Sequence, residues 1–123
     1  MELLNDDGRP IFIQIAERIE DDIIEGRLSG ESPVPSKNQF ASFYQINPAT
    51  AAKGVTLLVE RGILYKKRGI GMFVAEGALE ILIENRKERF FEQYVITMMR
   101  EAEKLGITAD QLTEMIARGG KQG

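Results

Sequence analysis

The side chains best suited to binding a polyanion lie close together in the middle of the chain. Between residues 33 and 75 there are six basic residues and a single acid, Glu60, which gives this segment a net charge of +5. The basic residues are Lys37, Lys53, Arg61, Lys66, Lys67 and Arg68. Residues 1–32 carry −6 and residues 76–123 carry −2, which brings the whole chain to −3. Because a polyanion responds to the local field of one face, this asymmetry indicates phosphate binding despite the acidic total.

The composition leaves few other kinds of chemistry open. The 123 residues include no cysteine and no histidine, so the usual zinc ligands, disulfides and the commonest general base are all missing. The segment Gly69-Ile70-Gly71 leads into an apolar run rather than a helix, which is not typical of a nucleotide-binding loop. We therefore predict a protein that is not an enzyme and has no cofactor and no metal. The acidic N-terminus and the lack of a long apolar stretch predict a cytoplasmic protein with no membrane partner.

Two helices are predicted ahead of the most basic part of the chain. Pro10 suits a first helical turn, and the apolar residues that follow it at spacings of three and four predict an amphipathic helix to about Glu25. Gly26 is typical of a helix end. Ser36 and Gln39 form a capping-box pattern, which predicts the start of a short second helix.

A third helix is predicted from Asn47, whose side chain is a good cap, and Pro48, whose fixed φ suits the first helical position. It runs to about Arg61 and is closed by Gly62. Its predicted buried face comprises Val55, Leu58 and Val59 with Ala51 or Ala52.

A β-hairpin follows the third helix. Residues 63–65 and 72–74 are apolar runs typical of strands, residues 66–68 are their charged end, and residues 69–71 form a glycine-rich turn. The order of three helices and a hairpin predicts a mainly α fold with a small β-hairpin, a winged helix-turn-helix DNA-binding domain over residues 1–76. A solvated hairpin end is the plainer interpretation of the basic run, and only its place beside two short helices favours DNA.

In a helix-turn-helix the first turns of the second helix enter the major groove. Thr50 and Lys53 are therefore expected to contact base edges or phosphates, and Ala49 a thymine methyl. Ser36 and Lys37 are expected to meet a phosphate at a helix N-terminus, and Arg68 with Gly69 to enter a minor groove. The predicted DNA-binding residues are Ser36, Lys37, Asn47, Ala49, Thr50, Lys53, Lys66, Lys67, Arg68 and Gly69.

Residues 77–123 are predicted to form a helical dimerisation tail. One helix of about 27 residues, a Thr108 and Gln111 capping box, and a short last helix are expected, with residues 119–123 as a frayed tail. Because two helices bury little alone, we predict a two-helix hairpin that pairs with a second copy. The predicted dimerisation residues are Leu79, Ile83, Phe90, Tyr94, Met98, Ala102, Leu105, Leu112, Met115 and Ile116.

The chain resembles the GntR family of bacterial transcription regulators over roughly residues 9–75. The resemblance is carried by residues 10–26, Pro35-Ser36, the run of residues 47–50, residues 62–65 and residues 68–74. The short tail is similar to that of the YtrA-type subfamily. The resemblance implies a dimeric repressor of its own operon, often with genes for an ABC transporter. The basic winged helix and the apolar tail helix predict a homodimer that reads an inverted-repeat operator.

One position departs from the family pattern. Asn38 stands where relatives commonly carry an arginine that contacts DNA. The resemblance therefore implies that Asn38 is a DNA-binding residue, but one that lacks the positive charge of the arginine. Lys53 matches the basic position of the family's recognition helix.

A second hypothesis stays open, in which the winged helix is a scaffold and the tail binds a different protein, so that the chain is an interaction adaptor that does not read DNA directly. A small-molecule effector, the target genes and the operator sequence are not identified by the residues.

Overall fold

The computed structural model describes residues 8–122, without the side chain of residue 122, and the chain forms two compact units that divide between Glu84 and Asn85. Ala78 and Leu82, which follow residue 76, are buried in the core of the first unit. None of the described helices is long and apolar enough to cross a membrane.

The first helix, α1 (Ile11–Ile24), is amphipathic as predicted. Ile15 and Ile19 are fully buried on its inner face, and Gly26 follows its end with a φ of 85°. The amide of Leu28 then donates to the carbonyl of Asp22 at 3.0 Å, which folds the chain back over the last turn. This helix supplies one wall of the core.

The helix-turn-helix consists of α2 (Lys37–Tyr44) and α3 (Pro48–Glu60). Both predicted caps are confirmed. The hydroxyl of Ser36 accepts from the amide of Gln39 at 3.1 Å, while the amide of Ser36 donates to the Gln39 side chain at 2.7 Å. The turn between the helices is made by Gln45, which has a φ of 57°.

The buried face of α3 differs from the prediction at one position. Ala51, Gly54, Val55 and Leu58 are buried, whereas Val59 is 36% exposed, so its assignment to the core was wrong. Gly54 takes a place in the core because α1 passes directly against it, an approach that the apolar periodicity does not reveal.

The wing is an antiparallel hairpin of β1 (Leu64–Lys67) and β2 (Gly71–Val74), in which Leu64 pairs with Val74 and Lys67 with Gly71. The segment at residues 31–34 lies against the other edge of β2. The amide of Val34 donates to the carbonyl of Met72 at 2.9 Å, so the wing is tied to the chain that enters α2.

The last helices are α4 (Ala78–Phe90), α5 (Ile96–Lys104) and α6 (Ala109–Gln122). A π-helical turn at Phe91–Val95 replaces the predicted uninterrupted α-helix. The Thr108 and Gln111 capping box is confirmed. The prediction of a frayed tail from residue 119 was wrong, because α6 continues through both glycines to Gln122.

Candidate nucleic-acid interface

The N-terminus of α3 presents small and polar side chains to solvent. The side-chain oxygen of Asn47 accepts from the amide of Ala49 at 2.7 Å, so Asn47 is engaged as a cap. Ala49 and Lys53 are exposed and Thr50 is half-buried. These residues share the first turns of the helix, which is the arrangement that reads base edges in a helix-turn-helix.

Lys53 lies closer to α1 than the sequence suggests. Its ammonium sits over the ring of Phe12, 4.1 Å from the ring centroid, in a cation–π contact. Such a contact stabilises an exposed pair by only about 0.5–1 kcal/mol. The side chain of Lys53 is therefore held against α1 in the free protein. The free energy needed to break this contact is small enough for a phosphate or a guanine to compete for the ammonium.

The N-terminus of α2 forms a second cationic position. Lys37 and Asn38 are exposed, and the capping box engages the amides of Ser36 and Gln39. The amides of residues 37 and 38 are left at the positive end of the helix, where they favour an anion. Asn38 adds an amide group there but no charge.

A groove of about 450 Å³ runs between the helix-turn-helix and the wing; we call it the helix–wing groove. Ser36 and Lys37 line it from α2, Thr56 from α3, and Lys66 and Ile70 from the wing, over an apolar floor. Two of the predicted phosphate-binding lysines thus face the same groove from opposite sides. Thr56, which is exposed on α3, was missed by the sequence analysis; its spacing from Ala49 and Lys53 on one helix face was the available signal.

The tip of the wing is a tight turn. The amide of Ile70 donates to the carbonyl of Lys67 at 2.9 Å, and Gly69 has a φ of 79° that favours glycine. Arg68 and Gly69 are exposed at this tip, as predicted. Lys67 lies back over the ring of Phe73 at 4.3 Å.

The base of the wing is joined to the loop ahead of α2 through Tyr65, whose hydroxyl donates to the carboxylate of Glu31. This hydrogen bond raises the pKa of Tyr65 above that of an ordinary tyrosine. The contact helps to fix the wing relative to α2. No short sequence pattern signals it, because the two residues lie 34 positions apart.

The basic residues of this surface have no acidic partners in the described part of the chain. Among the described residues, no carboxylate pairs with Lys37, Lys53, Lys66, Lys67 or Arg68. Arg61 differs, because its guanidinium lies 3.8 Å from the carboxylate of the buried Glu20. No group of three or more acidic, cysteine or histidine side chains within residues 8–122 is placed to hold a metal ion.

The predicted dimerisation residues are mostly exposed. In the first unit, Leu79 and Ile83 are about two-fifths exposed. In the second unit, the most exposed of them are Leu105 at 65% and Tyr94 at 63%, and the remainder of the exposed set comprises Phe90, Met98, Met115 and Ile116. Leu112 is half-buried, and Ala102 is already buried within the single chain.

Comparison with known proteins identifies the family. Residues 13–74 match the model of the bacterial regulatory proteins of the gntR family. A crystal structure of a GntR-family regulator from Bacteroides thetaiotaomicron is 34% identical, with a TM-score of 0.76 over 91% of this chain and 97% of that chain. The transcriptional repressor NagR of Bacillus subtilis is 34% identical over 71 residues, which are 58% of this chain and 29% of NagR.

A DNA complex is also among the similar structures. The DNA-binding domain of AraR, solved with operator ORX1, is 28% identical, with a TM-score of 0.54 over 61% of this chain and 90% of that domain. The chain spans only 29% of the length of NagR and 38% of that of YurK, another Bacillus subtilis regulator. The predicted winged-helix fold is confirmed, and the chain belongs to the GntR family of bacterial regulatory proteins.

Proposed function

We propose that the protein is a cytoplasmic, homodimeric repressor that binds an inverted-repeat operator of its own operon. One observation supports DNA binding by this surface above all. Lys37 and Lys66 both line the helix–wing groove, beside the exposed N-terminus of α3. The printed names of relatives support the regulatory part, since NagR is a repressor and the AraR domain binds an operator.

The contacts follow from the order of the surfaces. The start of α3, with Ala49, Thr50 and Lys53, enters the major groove, and the helix–wing groove takes the adjacent sugar–phosphate backbone. The wing tip then meets the next minor groove with Arg68 and Gly69. Phosphate contacts position the protein, whereas the α3 side chains carry the base reading.

Pairing of two chains is supported by the apolar surface of the second unit. Tyr94 and Phe90 lie with their ring centroids 5.6 Å apart and are both more than half exposed, as are Phe91 and Met99 nearby in sequence. Exposed aromatic and methionine side chains at this density mark an interface more often than free surface. A symmetric dimer would place two DNA-binding units on half-sites roughly 34 Å apart, or a multiple of that distance.

Two further parts of the proposal come from the family resemblance. The short helical tail favours the YtrA-type subfamily, whose members often control ABC transporter genes. An operon of that kind next to the gene would support both parts.

Salt dependence tests the DNA-binding proposal. The five cations of the proposed DNA-binding surface that are unpaired among the described residues, Lys37, Lys53, Lys66, Lys67 and Arg68, give ten in a dimer, and each phosphate neutralised contributes about −0.9 to the slope of log affinity against log salt. A mobility-shift titration of the promoter fragment should therefore give a slope approaching roughly −9 if all ten engage. A slope near zero, or no shift at low salt, would refute the proposal.

Sedimentation tests the dimer. The chain should sediment as a dimer at micromolar concentration, and the double variant Phe90→Ser, Tyr94→Ser should shift it toward monomer. Phe43→Ser is the matched control, because it removes an exposed aromatic ring from the other unit. A wild-type monomer, or dissociation by the control alone, would contradict pairing through the tail.

A further inference from the structure

We propose that Ile70, at the tip of the wing, is a specificity-determining residue that selects an A·T pair by rejecting the minor-groove amino group of guanine. The inference rests on the proposed mode of DNA binding and adds a base-reading role to a residue which that mode does not use. Ile70 is 74% exposed, more than any other large apolar side chain in the described part of the chain.

The turn holds Ile70 where nothing next to it competes for the same space. Its neighbours Gly69 and Gly71 have no side chains and have φ values of 79° and 145°. The turn is closed by the hydrogen bond from the Ile70 amide to Lys67. An exposed isoleucine between two glycines gains little from the fold of the free unit, and its apolar surface is accessible to a ligand bound at the wing.

The lining of the helix–wing groove points to DNA as the ligand beside Ile70. Ile70 is one of the lining residues on the wing side, together with Lys66, while α2 contributes Lys37 on the opposite side. If the backbone of one DNA strand lies along this basic groove with α3 in the major groove, the far side of that backbone is the minor groove. Ile70 and Arg68 then lie at its edge, with the charge on Arg68 directed to the negative potential there.

The chemistry of the minor groove makes an isoleucine selective. A·T and T·A pairs present only acceptors there, whereas a G·C pair adds the amino group of guanine, which is a donor that projects from the groove floor. Isoleucine has no atom that could accept from this group and fills the space that the group would need. A G·C pair under Ile70 therefore leaves a desolvated donor without a partner, which is unfavourable.

The test uses the full chain and an operator selected by it from a random duplex pool. Interference by methylation of adenine N3, which lies in the minor groove, locates the pairs under the wing. In one half-site, the A·T pair there is replaced by G·C and, separately, by inosine·C. Inosine keeps the major-groove pattern of guanine but lacks the amino group, so it separates minor-groove reading from major-groove reading.

We expect G·C to weaken wild-type binding about fivefold or more, within the usual range for one mismatched pair, and inosine·C to restore most of the affinity. Ile70→Ser should bind the A·T and G·C operators within about twofold of each other, with an unchanged salt slope, because no charge is removed. Ile81→Ser, which removes an exposed isoleucine from α4, should keep the wild-type preference.

Three results would overturn the inference. Inosine·C binding as weak as G·C binding would place the discrimination in the major groove. An A·T preference that survives in Ile70→Ser would assign it to Arg68 and the width of the groove. Failure of the wild type to select or bind any duplex would refute the proposed function itself, and it is seen in the first step before any variant is made.

Discussion

At Gly54 the close packing of α3 leaves no room for an added methyl group. This glycine lies in the middle of α3 and is buried against α1. A Cβ added there would lie 2.8 Å from the carbonyl oxygen of Phe12 and 3.1 Å from Cγ2 of Ile15. The first distance is too short for any real contact, and the oxygen belongs to the backbone of α1, so the two helices would have to move apart.

The effect of Gly54→Ala is the difference between two opposed terms. Alanine favours a helix interior over glycine by about 1 kcal/mol. Overpacking a close-packed core typically costs about 1–3 kcal/mol, and a clash with backbone belongs in the upper part of that range because no rotamer change relieves it. We therefore expect a net decrease of about 1–2 kcal/mol in the free energy of unfolding, or roughly 4–16 °C in the melting temperature for a unit of this size.

Thermal and urea denaturation followed by circular dichroism measure this decrease. Gly30→Ala is the control within the same unit, because a Cβ there meets only an ordinary contact at 3.8 Å and the backbone φ is not positive. The control should be unchanged or slightly more stable. If Gly54→Ala is as stable as the wild type, the close approach of α1 and α3 is wrong.

The remaining predictions concern DNA contacts, a helix cap and pH. Lys53→Ala and Arg68→Ala should each weaken operator binding in mobility-shift titrations and lower the magnitude of the salt slope, by about 0.9 for each phosphate that is no longer neutralised; an unchanged affinity for both would refute the contact assignment. Asn47→Ala should lower stability by about 1 kcal/mol in urea denaturation, since the Ala49 amide loses its acceptor; an unchanged stability would contradict the cap. Tyr65→Phe should be less stable than the wild type at pH 7, and the difference should shrink as the pH rises above about 10. The raised pKa means that the stabilising contact is complete below the ordinary tyrosine pKa and disappears as the pH passes through the folded-state value. Glu31→Gln should move the pKa of Tyr65 back toward 10.0 in a spectrophotometric titration, and an unmoved value would contradict the contact.

Local side-chain chemistry made most of the helix boundaries in both units predictable. The caps at Ser36, Asn47 and Thr108 depend on residues two or three positions apart, so their hydrogen bonds are encoded in short patterns. The glycines after α1 and α3 likewise mark helix ends, through positive φ values at Gly26 and Gly62. These features determine where elements begin and end.

Features that depend on distant contacts, or that run against local sequence signals, were not predictable. The strand-like pairing of residues 31–34 with β2 joins segments about 40 residues apart, and a proline-rich loop gives no strand signal. The π-helical turn at Phe91–Val95 has no proline or glycine to announce it. Gly119 and Gly120 weaken a helix on average, yet α6 continues through them, because propensity is only a weak prior.

The candidate site was likewise predictable only in part. The sequence located the cations but not their orientations, which depend on aromatic rings from other elements: Phe12 for Lys53, and Phe73 for Lys67. Ile70 was assigned only to a turn, because an apolar residue at a hairpin tip acquires meaning only from its exposure and from the groove beside it.

The acidic total charge does not oppose DNA binding, because no acid in the described part of the chain pairs with the lysines of the helix–wing groove, and several acids pair with arginines elsewhere. Arg27 pairs with Asp22 at 2.7 Å, and Arg9 pairs with Glu17, both at α1. The lysines of the helix–wing groove have no such partner in the described part of the chain, and Lys53 of α3 and Lys67 of the wing are held only by aromatic faces. An aromatic ring has no net charge, so a cation–π contact leaves the full positive charge of the ammonium. In a salt bridge the carboxylate offsets that charge, and a more distant phosphate is attracted less. The asymmetry along the sequence therefore survives folding as a field on one face, which is the quantity that a phosphate backbone responds to.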